Sequence, residues 1–248
     1  MRAAAVVPAY QAEPVVGEVI EGLVRLWPEP DAVFLVDDGS TDGTVAVAER
    51  AGAHVIRHPR NMGKGAALRT GMRLAHERGF DVAVTVDADG QHPPEEALRM
   101  HQRCPNPAAL VLGIRDLQAA NAPRNSQMSN KFSNLVLSGF TGRWLSDTQC
   151  GLRRYPIDAT LALGSQEDGY GFEAEVIIRA AMTEMPIVEL PIRVIYPPVE
   201  ERISHFDSVR DPTKIVIRVV RTVAAVRTRR LLQRIGVPVA SPRFGPGE

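Results

Sequence analysis

A chain of 248 residues that is 44% hydrophobic and 23% charged suits one soluble domain with a full-sized core, and 5% aromatics leaves that core to Val, Leu, Ile and Ala. Lys+Arg and Asp+Glu are both 29, so the zero net charge gives no overall nucleic-acid signal. Cys104 and Cys150 lack disulfide-framework or zinc spacing, and no apolar run approaches a membrane-spanning helix, so a reducing cytoplasm is the expected compartment.

"AAAVVPAY" (3–10) reads as a buried first strand, and Pro8 cuts the apolar run too early for a signal peptide. "EPVVGEVIEGLVRLW" (13–27) has helical periodicity, with Val16, Val19, Ile20, Leu23 and Val24 on one side. Strand two is "AVFLVDDGS" (32–40), helix two "TDGTVAVAERAG" (41–52) with Gly52 as its stop, and strand three "AHVIRHP" (53–59). Helix three (63–79), strand four (81–89), helix four (94–104) and strand five (108–115) continue the alternation. After that the pattern loosens: a helix over 125–142, a polar loop over 145–156, a helix over 169–184, and one or two strands over 186–198. Repeated strand-then-helix order predicts an α/β fold, a mainly parallel sheet with helices on both faces.

Ligands in such sheets sit beyond the carboxyl ends of the strands. Three polar strand ends fall there: Pro8–Tyr10, Asp37-Asp38 and Asp87-Ala88-Asp89. The last pair ends an apolar run on two like charges. Asp and Gly suit turns, so a simple strand end is one reading. A divalent cation is the other, because Mg2+ or Mn2+ prefers oxygen and often takes one or two carboxylates plus substrate phosphates. Three polar ends in one crevice favour the second.

Other stretches carry two readings each. In "VDDGSTDGT" (36–44) a carboxylate can accept a nucleobase N–H, or Ser40 or Thr41 can cap a helix, and both can hold together. "RNMGKGAALRTG" (60–71) fails as a P-loop, because Gly65 stands where Ser or Thr should follow Lys64. Lys64 therefore faces a phosphate or solvent. Asp147 and Gln149 lie in a polar loop. Glu173 and Glu175 sit where acids also favour a helix start. In "ERISHF" (201–206), which also holds Ser204, Arg202 and His205 are spaced to meet one anionic group.

In order along the chain, "VVPAY" (6–10), "DDGSTDGT" (37–44), "NMGKGAALRTG" (61–71), "DADGQH" (87–92), "SDTQCGLRRY" (146–155), "GYGFEAEV" (169–176) and "RISHF" (202–206) resemble the family 2 glycosyltransferases of the GT-A fold. Within them the resemblance is to the dolichyl- or polyprenyl-phosphate sugar transferases. It implies that Asp87, Asp89 and Gln91 hold Mg2+ or Mn2+ and the donor diphosphate. It places Pro8, Ala9, Tyr10 and Asp38 at the nucleotide base and Arg115 at a phosphate. Arg202, Ser204 and His205 fall in a loop returning over the donor. There are departures. Gln11-Ala12 stands where the family has Asn-Glu, so Glu13, one place later, is the candidate for that contact. Ile203, Ser204 and His205 replace part of a Gly-x-Ser-Lys ending, and no membrane span follows the domain.

The implied reaction moves a sugar from a nucleotide-sugar, of GDP-mannose or UDP-glucose type, to a polyprenyl-phosphate or other lipid-linked acceptor by one inverting displacement. Asp89, Arg115, Arg202 and His205 would handle the leaving group, and Lys64 is a candidate phosphate contact. A soluble or hydroxyl acceptor would need a base, and Asp147 is the candidate. A sugar-phosphate nucleotidyltransferase is the remaining alternative, but "PAYQAEP" lacks its glycine-rich basic loop. The expected organisation is a GT-A domain over 1–208, a basic amphipathic helix over 209–236 and a tail over 237–248. Residues 209–235 carry eight Lys/Arg against one Asp, a net +7. Lys214, Arg218, Arg221 and Arg229 fall on one side of that helix, opposite Val216, Val219, Val220, Val223 and Val226. It either docks on the domain or lies on the anionic inner face of the plasma membrane. A separate membrane protein is the other partner expected, and nucleic acid is not.

Overall fold

The computed structural model of the chain describes residues 1–29 and 31–196. The elements run β1 (Ala3–Ala9), α1 (Glu13–Leu26), β2 (Val33–Asp37), α2 (Thr44–Arg50), β3 (His54–Arg57), α3 (Lys64–Glu77) and β4 (Val82–Thr85). They continue with α4 (Pro94–Arg103), β5 (Leu110–Arg115), α5 (Arg124–Thr141), β6 (Arg153–Pro156), α6 (Ile157–Ala162), α7 (Gly171–Met182) and β7 (Ile187–Ile192). The strands form one sheet in the order β3-β2-β1-β4-β6-β5-β7. β1 pairs in parallel with β2 and β4, β2 with β3, and β5 with β7. Among the described strands only β6 runs antiparallel, between β4 and β5.

The sheet is buried because its strands are. Every residue of β1, β2, β4 and β6 is buried. α1 shows how a covering helix is specified. Pro14 and Glu13 suit its first turn and Arg25 its last. Val16, Val19, Ile20 and Leu23 form the buried stripe that the period predicted. α1 packs against α2 and α4, while α3 crosses β1 and β2 and meets α6 and α7.

Two local readings differ from the sequence. Helix two begins at Thr44, because Asp42 Oδ1 accepts bonds from Thr44 N and Oγ1 and keeps the preceding residues in a turn. The segment read as a loop over 145–156 ends in the central strand β6. Arg153 and Arg154 disguised it, since both are fully buried. Arg153 donates to the carbonyls of Thr148, Cys150 and Glu173 at 2.7, 2.8 and 2.9 Å. Arg154 donates to Asn106 O at 3.0 Å. A buried guanidinium is tolerated when its N–H groups find partners, as those of Arg153 do, while Arg154 Nε has none among the described residues.

Candidate active site

β1, β2, β4 and β5 all point their carboxyl ends at one cavity of about 460 Å³. It gathers Pro8, Ala9, Tyr10, Asp38, Lys64, Asp87, Asp89, Gln91 and Arg115 from widely separated stretches. Glu13 and Asp147 are outside its lining. Arg202, Ser204, His205, the helix expected over 209–236 and the tail over 237–248 lie outside the described residues.

Asp38 is a structural hub as well as a wall. Its carboxylate accepts Met62 N at 2.8 Å and Gly63 N at 2.7 Å, and lies 2.8 Å from His58 Nδ1. These bonds fix the approach to α3 and so the base of Lys64. Gly63 must be glycine there. Its φ is +98°, and a Cβ would stand 2.3 Å from Asp168 O. Glu13 has another occupation: its Oε2 accepts Gly43 N at 2.8 Å. Gln11, at φ 51°, accepts Thr41 N and Asp42 N through Oε1. The departure at Gln11-Ala12 thus ties the turn after β1 to the turn after β2.

Asp87 and Asp89 follow the end of β4. Lys64 Nζ lies 2.6 Å from Asp87 Oδ1 and 3.3 Å from Glu173 Oε1. Burial pushes the Asp87 carboxyl up, but the Lys64 ammonium outweighs it and holds the group below the usual carboxylate range. Asp89 has weaker relief, a bond from Gln91 N to its Oδ1 at 3.0 Å and the more distant charges of Lys64 and Arg115. Burial, then the charge of Asp87, pushes it up to about 6. His92 lies in the same wall, and burial pulls its imidazole down to about 4, so the ring is neutral. Its buried Nδ1 has no hydrogen-bond partner among the described residues.

This donor set fits a divalent cation. An anion stranded by burial beside a like charge is relieved by positive charge, and the donors are oxygens. Among the described residues no group of three or more His, Cys, Asp or Glu side chains converges as a metal cage. A set of two carboxylates suits an ion that draws its other ligands from water and phosphate.

Asp147 is fully buried and committed. Arg115 Nε donates to its Oδ2 at 2.7 Å and Nη2 to its Oδ1 at 3.1 Å. Gln149 N also donates to Oδ1, at 3.2 Å. Burial opposes the Arg115 charge, but Asp147 outweighs it and raises the guanidinium's affinity for its proton. Arg115 Nη1 reaches Tyr196 Oη at 3.4 Å.

The sequence reading gave no role to His92 or Tyr196, and treated Glu173 as a helix-start acid. His92 was visible in "DADGQH" but a lone histidine carries little signal. Tyr196 and Glu173 enter through tertiary packing, which no local spacing shows.

The sheet, parallel but for one antiparallel strand, carries an acidic pair at its crevice. Residues 4–159 match the family described as Glycosyl transferase family 2, and the chain belongs to it. It is 31% identical to the undecaprenyl-phosphate mannosyltransferase of Micrococcus luteus over 248 residues, 96% of this chain and 100% of that protein. It is 31% identical to the UDP-N-acetylglucosamine–dolichyl-phosphate N-acetylglucosaminyltransferase of Methanococcus voltae, covering 77% of this chain and 84% of that one. Among solved structures, the glucosyl-3-phosphoglycerate synthase of Mycobacterium tuberculosis in complex with Mn2+, UDP and phosphoglyceric acid superposes with a TM-score of 0.69. That likeness, at 19% identity over 96% of this chain and 80% of the other, is one of fold. The protein is a glycosyltransferase of the GT-A fold. The nucleotidyltransferase alternative falls with that membership.

Proposed function

We propose that the protein transfers a sugar from a nucleotide-sugar to a polyprenyl phosphate, in one inverting displacement that uses Mg2+ or Mn2+. The relatives named for undecaprenyl-phosphate and dolichyl-phosphate transfer support the acceptor class. The Mn2+ and UDP of the fold neighbour support the donor side. The observation that carries the acceptor reading is Asp147. A hydroxyl acceptor must lose a proton to a free carboxylate. Both oxygens of Asp147 are held by Arg115. A phosphate acceptor arrives ionised and needs orientation, not deprotonation.

In this reading Pro8, Ala9, Tyr10 and Asp38 wall the nucleotide, and Arg115 faces phosphate while Asp147 aims it. Asp87, Asp89 and Gln91 would hold the divalent cation, which supplies Lewis acidity toward the leaving nucleoside diphosphate when bound. Lys64 adds positive charge at the same wall. Arg202, Ser204 and His205 remain assigned to the donor phosphates from the sequence.

Access to a lipid is supported by α5. Ser126 and Ser133 on this helix line the cavity, while Met128, Phe132 and Leu135 are exposed on it. Among the described residues no helix is long and apolar enough to cross a membrane. A surface contact is the arrangement proposed, at the anionic inner face of the plasma membrane.

The test is a donor screen with GDP-mannose, UDP-glucose and UDP-N-acetylglucosamine, each sugar-labelled, with Mn2+. Label should enter the organic phase with a polyprenyl phosphate and not with the free prenol. Transfer to the free prenol, or to a water-soluble acceptor alone, would overturn the reading.

A further inference from the structure

Lys64 is held where a cation belongs. Its Nζ is 2.6 Å from Asp87 Oδ1, and its side chain is 17% exposed. Gly151 lets the Asp87 carboxylate pack close to the backbone, since a Cβ there would stand 2.0 Å from Oδ2 and 2.7 Å from Oδ1. An ammonium occupies Oδ1. The backbone of Lys64 cannot retreat. Asp38 grips Met62 N and Gly63 N just before it, and Ala66 N donates to Asp168 O just after it. The side chain can pivot, and a second anion is within reach: Glu173 Oε1 at 3.3 Å. Glu173 is 6% exposed, is fixed on α7, and has no closer cation, since Arg153 Nε stands at 4.0 Å.

We infer that Lys64 is the built-in counter-cation of Asp87, that a divalent cation binds by displacing its ammonium from Oδ1, and that Glu173 receives the displaced ammonium. The inference rests on the reading that Asp87 and Asp89 take the metal. An ammonium 2.6 Å from Asp87 Oδ1 and a divalent ion on the same buried carboxylate repel each other, so metal binding is favoured by a Lys64 that has swung to Glu173. Lys64 thereby keeps the buried acidic pair balanced when metal is absent and sets how tightly metal is held. Lys64 is a positioning residue in this role, and Glu173 is its alternative seat.

The test is Mn2+ binding to the full chain without donor, followed by the electron paramagnetic resonance of free Mn2+ at constant pH and salt. Lys64→Met uncovers Asp87 Oδ1 and should tighten Mn2+ binding by about tenfold. Lys64→Met/Glu173→Gln removes one charge of each sign, keeps the site neutral relative to wild type and guards against misfolding from an excess of buried anions. It should also bind Mn2+ more tightly than wild type, by about threefold or more. Unchanged or weaker binding by Lys64→Met overturns the inference. So does a double variant equal to wild type, which would reduce the effect to net charge. If neither wild type nor any variant binds Mn2+, the metal reading itself fails and takes the inference with it. Mn2+ binding that ignores Lys64 leaves the metal reading standing and removes only the inference.

Discussion

Arg115 and Asp147 meet through two parallel contacts, Nε to Oδ2 at 2.7 Å and Nη2 to Oδ1 at 3.1 Å, in a site where Asp147 is 1% exposed. Fork-to-fork pairing of this kind fixes direction as well as charge. Lysine cannot reproduce it, because an ammonium is a point donor. We expect Arg115→Lys and Asp147→Asn each to lower kcat/KM by about tenfold or more. The double variant should be no worse than the poorer single, because both changes break one unit. A base role for Asp147 gives a different result: Asp147→Asn would abolish turnover of a hydroxyl acceptor, while Arg115→Lys would only reduce it.

Asp89→Asn changes one anionic oxygen and little shape. It also removes a like charge beside Asp87, so the fold should persist with its thermal midpoint unchanged or raised. Divalent-dependent donor binding, read by fluorescence quenching with and without Mn2+, should be lost. A variant that binds donor and Mn2+ like wild type would remove Asp87-Ala88-Asp89 from the site.

Arg153 illustrates what was hidden in the sequence. "LRRYP" reads as surface loop because two adjacent arginines rarely enter a sheet. In the fold, strand alternation sends Arg153 and Arg154 to opposite faces, and each finds carbonyls that no local pattern announces. β1, β2 and α1 were legible for the opposite reason: their Val, Ile and Leu periodicity is their burial. Asp87, Asp89 and Asp38 were legible because a charge ending a buried strand conflicts with local rules, and such conflicts mark sites. The bond that Glu13 accepts from Gly43 N was not legible, since only the tertiary structure brings the two together. We expect Arg153→Leu to destabilise the protein by about 3–5 kcal/mol, by stranding three carbonyls and uncoupling the loop that carries Asp147. Arg153→Lys should fall between, and urea midpoints measure both.

Glu96 ties the end of the sheet to α4. It is 3% exposed, and its Oε1 and Oε2 accept Arg193 Nε and Arg99 Nε, both at 2.9 Å. Burial opposes its charge, but the bonds to Arg193 and Arg99 outweigh that and lower its pKa. An acid whose folded pKa lies below its unfolded value contributes stability above the unfolded value, and that contribution is lost as pH falls through the folded one. At pH 7 wild type should exceed Glu96→Gln by about 1–2 kcal/mol, the exposed Arg193 limiting the gain. The gap should close between pH 5 and pH 3, as measured by denaturant unfolding at each pH. A gap that does not change with pH would mean shape, not charge, holds the contact.

The exposed side of α5 bears on how the cavity meets a lipid. Met128, Phe132 and Leu135 are 70%, 51% and 63% exposed, and Trp144, just past the helix, is 71% exposed. Spacings of four and three put the first three on one face. Between residues 117 and 146 the chain holds Arg124, Lys131 and Arg143 and no Asp or Glu, so every charge this segment brings beside the apolar row is positive. A basic, apolar, Trp-edged helix face complements an anionic bilayer interface. Each basic group near an anionic surface contributes on the order of 1 kcal/mol, and a buried Phe or Leu side chain about 1.5–3 kcal/mol. We expect the protein to float with vesicles containing an anionic lipid at low salt and to be released by high salt. Phe132→Glu/Leu135→Glu should abolish flotation without lowering thermal stability, because both residues are exposed already. Transfer to a long polyprenyl phosphate in vesicles should fall with it, while transfer to a short soluble phosphate analogue should not. Equal loss on both acceptors would assign the row to the cavity wall. A concentration-dependent dimer, abolished by the same substitutions in a protein that ignores vesicles, would assign it instead to a second copy of the chain.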